Sequence, residues 1–366
     1  MTNEDEISVL LRESAVGWLE GRDVTASLRG QLDVPRPVNR AQWGEMADMG
    51  WLALMLPEDL GGSGLGLPEA CVLAELFGRK LVAEPFVPSV VIPSTLIAAC
   101  TGEGRSMLAR ALAGGERVLT FAHPASPSGG AVTLSGSAIS GSLESVPAIE
   151  DDGFLLVVAQ DAAGKAAIVA VDAASPGIHI EKAAAGAGAS LSRVRFQEAT
   201  ILFGGALLSG DGASAATAAA VDAGRVAVAA QLAGCAAEVL EKTIAYVGGR
   251  QQFERTIGSF QTVQHRCVDL HIGVMLARSS IRYAARVKES AERTMAAAAA
   301  KARAGEMALK AGRTAVQLHG AMGFTEEVDI GHYLRSALHL SSWLGTPTVL
   351  RRHFLSERRA LESAHV

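Results

Sequence analysis

From Asp211 the chain runs to Pro347 without a single proline, and the tract is rich in alanine. Proline removes a helical hydrogen bond and clashes with the preceding turn, whereas alanine is the strongest helix former, so such a tract selects helices. The segments Asp222 to Val247 and Gln261 to Val287 are too long for ordinary surface helices and predict the antiparallel helices of a bundle. Gly248-Gly249 and the pair Gly320 and Gly323 supply the breaks. The small side chains suit helix axes that approach closely. The run Ala296 to Ala300 reads as helix because charged residues follow it at intervals, and nothing repeats at a fixed period.

The rest of the chain changes texture twice. From Glu4 to about Arg117, apolar residues recur at helical spacing, as with Leu10, Leu11, Ala15 and Leu19, then Trp43, Met46, Ala47 and Gly50. Between Val118 and Phe203 come short apolar runs, Phe154 to Ala159 and Ala167 to Val171, punctuated by Gly129-Gly130, Gly141, Gly153 and Ser175-Pro176-Gly177, as strands bounded by turns are. The expectation is an α+β fold in three parts: an N-terminal helical domain over 1–117, a small middle β-barrel or sandwich over 118–205, and a C-terminal four-helix bundle over 206–366.

Composition removes several classes of function. A chain of 366 residues, 49% hydrophobic, can bury a large core and build two or three domains. Its net charge of −5, with both signs interspersed, leaves no footprint for nucleic acid. Cys71, Cys100, Cys235 and Cys267 lie far apart, which argues against a disulfide framework; Cys267 has His271 one helical turn on, but two ligands without a third do not make a zinc site. Glu4, Asp5 and Glu6 stand where a signal peptide has basic residues, and the apolar run Pro85 to Gly102 carries Pro85, Pro88 and Pro93, unsuited to a membrane span. These features predict a cytoplasmic protein with no metal and no membrane. Neither Gly62-Ser63-Gly64-Leu65-Gly66 nor Gly186-Ala187-Gly188 has the spacing of a nicotinamide-binding glycine loop.

Three stretches are more informative: Met49-Gly50-Trp51-Leu52-Ala53-Leu54-Met55-Leu56-Pro57-Glu58-Asp59-Leu60-Gly61-Gly62; Arg250-Gln251-Gln252-Phe253 with Phe260-Gln261 and Gln264 following; and Gln317-Leu318-His319-Gly320-Ala321-Met322-Gly323-Phe324. In spacing and in the helix, sheet, bundle order around them, they resemble the acyl-CoA dehydrogenase family. The resemblance implies that fold across nearly the whole chain, FAD as cofactor, and removal of a proton and a hydride from the α and β carbons of an acyl-CoA thioester. It implies electron-transfer flavoprotein or an equivalent acceptor as a further partner.

The resemblance also implies roles. Arg250, Phe253 and Gln261 would meet the ADP part of FAD seated in a neighbouring subunit, the guanidinium matching pyrophosphate oxygens. Gln317, Gly320 and Ala321 would approach the same FAD, with Ala321 replacing the second of two paired glycines, and Thr346 would add a cofactor contact. Arg225 would lie near the thioester. Plainer readings stand beside these: Arg250 as a solvated helix-end cation, Gly320 as a helix C-cap, Arg335 in an ion pair, and the first motif as a set of turns.

Departures from the family pattern are equally informative. Abstraction of the α-proton needs a carboxylate. The family carries it either before Gly-Thr, which is Leu344 here, or before an arginine on a bundle helix, which is Gly224 before Arg225. The β domain has Phe121-Ala122-His123-Pro124 through Gly129, then Ser142 to Val146, and no tryptophan, where the family places its flavin-facing stretch. The expectation is therefore a subunit of a heteromeric dehydrogenase, an α2β2 assembly whose related chain supplies base and flavin pocket, resembling actinobacterial enzymes of steroid side-chain degradation. The alternatives are a self-sufficient homotetramer using another carboxylate (Asp222, Glu144 or Glu150), a different flavin reaction on the same fold, and a catalytically silent scaffold.

Overall fold

A computed structural model describes residues 3–22, 35, 37–123, 130–184, 190–325 and 327–364. The helices are α1 (Asn3–Leu19), α2 (Arg40–Asp48), α3 (Leu67–Lys80), α4 (Ile92–Ala99), α5 (Glu103–Gly114), α6 (Gly210–Gly249), α7 (Gln261–Ala284), α8 (Ser290–His319), α9 (Ile330–Ser342) and α10 (Pro347–Ala364). The strands are β1 (Leu119–Ala122), β2 (Val132–Ser135), β3 (Ala138–Pro147), β4 (Phe154–Gln160), β5 (Ala166–Asp172), β6 (Ile178–Ala184), β7 (Ser190–Thr200) and β8 (Leu208–Ser209), with a small hairpin of β9 (Gln251–Gln252) and β10 (Arg255–Thr256). The chain divides into two compact units, one of residues 33–70 and 83–224, the other of 1–32, 71–82 and 225–366.

The first unit holds α2, α4, α5 and the sheet. Its strands run in the order β6-β7-β3-β2-β4-β5-β8, with β1 pairing in parallel to β4. The core of the sheet follows the alternation of its sequence: Val157, Val169, Val171, Val194 and Phe196 are buried and pack with Leu143, Val146 and Ile149. Asn39 caps α2 by accepting from the backbone N–H groups of Ala41 and Gln42. The expected helix through Gly50 ends two residues sooner, at Asp48, because Gly50 takes a left-handed turn at φ 74°. The proline-rich run is a buried π-helical turn, Val87–Val91, leading into α4. Here Pro88 and Pro93 remove backbone donors from the ladder.

In the second unit α6 to α10 build the expected bundle, with α8 packed against α7, α9 and α10. The α6 helix is long and apolar enough to cross a membrane by length and composition, but 89% of that window is buried protein core. Close packing is visible at Gly78 and Gly234. A Cβ at either would stand 2.0 Å from a carbonyl oxygen of the facing helix, that of Gln231 or Glu75. In α1 Ala15 and Leu19 are buried and Leu11 is half-buried, while Leu10 is 64% exposed, so the apolar face is narrower than the sequence spacing implied.

Candidate functional site

The second motif begins where α6 stops. Arg250 donates its N–H to Tyr246 O at 2.9 Å and accepts from Ile257 N at 2.8 Å, which closes a loop around the hairpin. The two residues at the hairpin tip, Phe253 and Glu254, have φ of 54° and 62°. Both signs match the primed turn that suits strand twist, a turn that usually takes asparagine or glycine. Phe253 is 85% exposed on this tip. Its ring meets Phe260 edge-on at 6.2 Å, and Arg255 lies over the other ring at 3.9 Å. Gln261 opens α7, and both it and Arg250 face solvent.

The third motif ends α8. His319 is buried and its ring stacks on Tyr246 at 4.2 Å, with Nδ1 donating to Ala315 O at 2.8 Å. Tyr246 in turn donates its hydroxyl to His319 O at 3.3 Å. The end of α6 and the end of α8 are thereby locked together, which brings Arg250, Phe253 and Gln261 to the same end of the bundle as Gln317, Gly320 and Ala321. Gly320 sits at φ 62° and ψ −136°, a region open to glycine alone, and a Cβ there would meet nothing within 4 Å. Gln317 and Ala321 are exposed, and Phe324 is 84% exposed. Behind this turn lies a pocket of about 170 Å³ lined by Val316, Gly323, Thr325, Val328, Arg335 and Leu338.

The turn after α9 holds Leu344-Gly345-Thr346, the segment compared above with the family's base turn. Leu344 is held in the left-handed region at φ 57°, followed by Gly345 at φ 110°. Three carbonyls of this segment are bound by cations: Arg225 Nε donates to Leu344 O at 3.2 Å, and Lys301 Nζ donates to Ser341 O at 3.2 Å and Gly345 O at 2.9 Å. Lys301 is fully buried, and burial, then the Arg225 charge, push its amine down to about 7. Burial likewise pushes His339 down to about 4, with the Lys301 charge adding to the effect. Thr346 caps α10, its hydroxyl accepting from Val349 N at 3.4 Å.

The other carboxylates weighed from sequence are placed as follows. Glu144 pairs with Arg193 at 2.7 Å on the exposed β3–β7 ribbon. Glu150 is buried and accepts from Val38 N at 3.0 Å. Asp222 is buried in α6, and Gly224 lies inside that helix. In β3 the register shifts between Leu143 and Val146, with Ser145 at φ 59°. Residues 124–129, which include part of the stretch compared with the family's flavin-facing segment, lie outside the described residues. Lys301 was not singled out from sequence. A lysine within a helix reads as a solvated cation unless its neighbours across the bundle are known.

Comparison with known proteins decides the family. The N-terminal domain model of acyl-CoA dehydrogenases matches residues 11–116 and the C-terminal domain model matches 210–357. The chain belongs to the acyl-CoA dehydrogenase family. It is 26% identical to the acyl-CoA dehydrogenase IpdE2 of Mycobacterium tuberculosis over 349 residues, covering 95% of this chain and 96% of that one. Its fold matches the ChsE4–ChsE5 complex from Mycobacterium tuberculosis with a TM-score of 0.87 at 25% identity, covering 98% of both chains. It matches a variant of the Tcur3481–Tcur3483 steroid ACAD with a TM-score of 0.84 at 27% identity, covering 99% of this chain and 98% of that one.

Members of this acyl-CoA dehydrogenase family are FAD-dependent flavoproteins. The bundle end of this member fits the diphosphate and adenosine part of FAD: exposed Arg250, Gln261 and Gln317 offer donors, and the open space around Gly320 lets backbone approach a phosphate. In the turn before Gly345-Thr346 this acyl-CoA dehydrogenase family member has an aliphatic side chain, Leu344, which holds no proton.

Proposed function

We propose that this chain is one subunit of a heteromeric FAD-dependent acyl-CoA dehydrogenase that desaturates an acyl-CoA thioester between the α and β carbons. The observation that carries the reading is Leu344. It occupies the turn before Gly345-Thr346 where the family has its carboxylate, and the alternative position is Gly224. Bound FAD supplies the hydride acceptor. The chain's own part is to bind and orient: Arg250, Phe253, Gln261, Gln317, Gly320 and Ala321 contact FAD seated in the related subunit, Thr346 lies beside it, and Arg225 faces the thioester end of the substrate. The base comes from the related chain.

Two observations support this division. Phe253 and Phe324 stand 85% and 84% exposed beside the polar groups of the two motifs, as expected of residues that face a neighbour. The α7 helix buries Leu270, Val274, Ala277 and Ile281, yet its other side exposes Val268, Ile272, Met275, Leu276 and Tyr283, each 45–55% accessible. A helix apolar on two sides has a second surface to cover. The steroid ACAD named above supports a bulky steroid side-chain thioester as the substrate class. Electron-transfer flavoprotein or an equivalent acceptor would take the electrons, in a cytoplasmic setting.

The test is co-expression with a related acyl-CoA dehydrogenase chain that carries the carboxylate this one lacks. Desaturation of acyl-CoA by the pair, and none by either chain alone, is the expected result. Turnover by this chain alone with one FAD per subunit returns the homotetramer with an unusual base, for which buried Asp222 is the remaining candidate.

A further inference from the structure

Lys301 is an ammonium-bearing side chain with 1% of its surface exposed, set in a helix whose buried neighbours are mostly alanine. The charged group that adds to its desolvation is Arg225, another cation. Such a placement is costly, and an apolar side chain of similar volume would pack there more easily. What the amine does is bind Ser341 O, an unpaired carbonyl in the last turn of α9, and Gly345 O, beyond Leu344. Between them Arg225 takes Leu344 O. A leucine in the left-handed region is strained and persists only where its surroundings dictate it.

We propose that Lys301, acting with Arg225, is a positioning residue for the Trp343–Thr346 turn: the two cations bind the carbonyls of Ser341, Leu344 and Gly345, fix the left-handed Leu344, and loosen their hold when the Lys301 amine loses its proton. The inference rests on reading this turn as the counterpart of the family's base turn, but not on how many chains the enzyme needs. A charged donor binds a carbonyl more strongly than a neutral one. Because burial and Arg225 bring the amine to about 7, the change falls near neutral pH. The groups that bear on it are Arg225 from α6 and His339 from α9, the latter already neutral there. On α10 Arg351 is paired with Glu306, and on α7 Arg278 is paired with Glu75.

Trp343 lies in the turn and reports on it. The full chain, in the assembly in which it purifies, would be labelled with 5-fluorotryptophan, and Trp343→Phe would assign its fluorine resonance among the four tryptophans. The expected result in the wild type is a shift of the Trp343 resonance with a midpoint near pH 7, with the buried Trp43 and Trp51 signals unmoved. Lys301→Arg, charged throughout, abolishes the titration and stays at the acid position. Lys301→Met sits displaced at every pH. A Trp343 signal that does not titrate, or one that titrates unchanged in Lys301→Arg, overturns the proposal. If Lys301→Met does not fold, the wild type and the arginine variant decide alone. Flavin content, measured on the same samples, reports on the heteromer reading separately.

Discussion

Tyr246 and His319 form a single clasp: their rings stack at 4.2 Å, and the tyrosine hydroxyl donates to the histidine carbonyl at 3.3 Å. One residue precedes Arg250 by four positions and the other precedes Gly320 by one. The clasp therefore ties two motifs, far apart in sequence, into one end of the bundle.

Removing the clasp will uncouple the two motifs. Tyr246→Phe deletes one hydrogen bond and should cost about 0.5–1.5 kcal/mol of stability in urea unfolding. His319→Ala keeps the backbone carbonyl that accepts from Tyr246 but deletes the ring stack and the Nδ1 bond, and should cost about 1–3 kcal/mol. Both variants should lose flavin from the assembled enzyme, the histidine variant more.

Arg250→Ala should weaken FAD retention by roughly ten- to a hundredfold, the loss of about 1.5–3 kcal/mol expected for a charge-assisted bond. Because the residue is exposed in the chain itself, its thermal midpoint should barely move. Arg250→Lys should restore only part of the binding, since a point charge lacks the planar fork. Equilibrium dialysis of FAD against the assembled complex measures both.

Leu344→Glu places a carboxylate in the turn without changing the backbone demand, because leucine already occupies the left-handed conformation there. If the chain lacks a flavin pocket of its own, the variant purified alone should still turn over at least about a hundredfold more slowly than the assembled enzyme. A spectrophotometric dye-reduction assay on the lone variant is the check.

Gly78→Ala pushes a methyl group to within 2.0 Å of the Gln231 carbonyl oxygen. The backbone of α6 cannot yield as a flexible side chain would, so the expected loss is about 1–3 kcal/mol or more in chemical unfolding. Gly234→Ala, against Glu75 O, should behave alike.

His339 gives stability a pH dependence. Its folded value near 4 lies below the ordinary 6.5, so the unfolded chain binds the proton first and stability is lost as pH falls from 6.5 to 4. The loss should reach about 3 kcal/mol at most, less in practice because the residue keeps some exposed surface. Lys301, lowered from 10.5 to about 7, acts in a higher window with the same sign, stability rising with pH from about 7 to 10.5. His339→Leu should flatten the acid limb alone.

Much of the fold was legible because it depends on local rules. The proline-free alanine tract predicts α6, α7 and α8, and Gly249 and Gly320 end the first and last of them. The apolar runs at Phe154 and Ala167 are strands β4 and β5. The motif residues and their meeting at one FAD were implied by the family resemblance, but the contact that joins them was not legible: Tyr246 meets His319 across 73 positions. The Lys301 clasp on Gly345, 44 positions away, was likewise invisible, since pattern reading assigns a helical lysine to solvent. The π-helical turn at Val87 and the positive φ at Phe253 and Leu344 contradict local propensity; the two-residue hairpin turn sets Phe253, and contacts distant in sequence hold the other two.

The central claim is that this chain presents FAD contacts to a related subunit and does not complete a flavin site by itself. The most direct measurement is FAD per chain and assembled mass, by visible absorbance and light scattering, for the chain alone and co-expressed with the related dehydrogenase. The account predicts a colourless or unstable lone chain and a yellow α2β2 complex holding half a flavin per chain. A lone homotetramer with one FAD per subunit would contradict it.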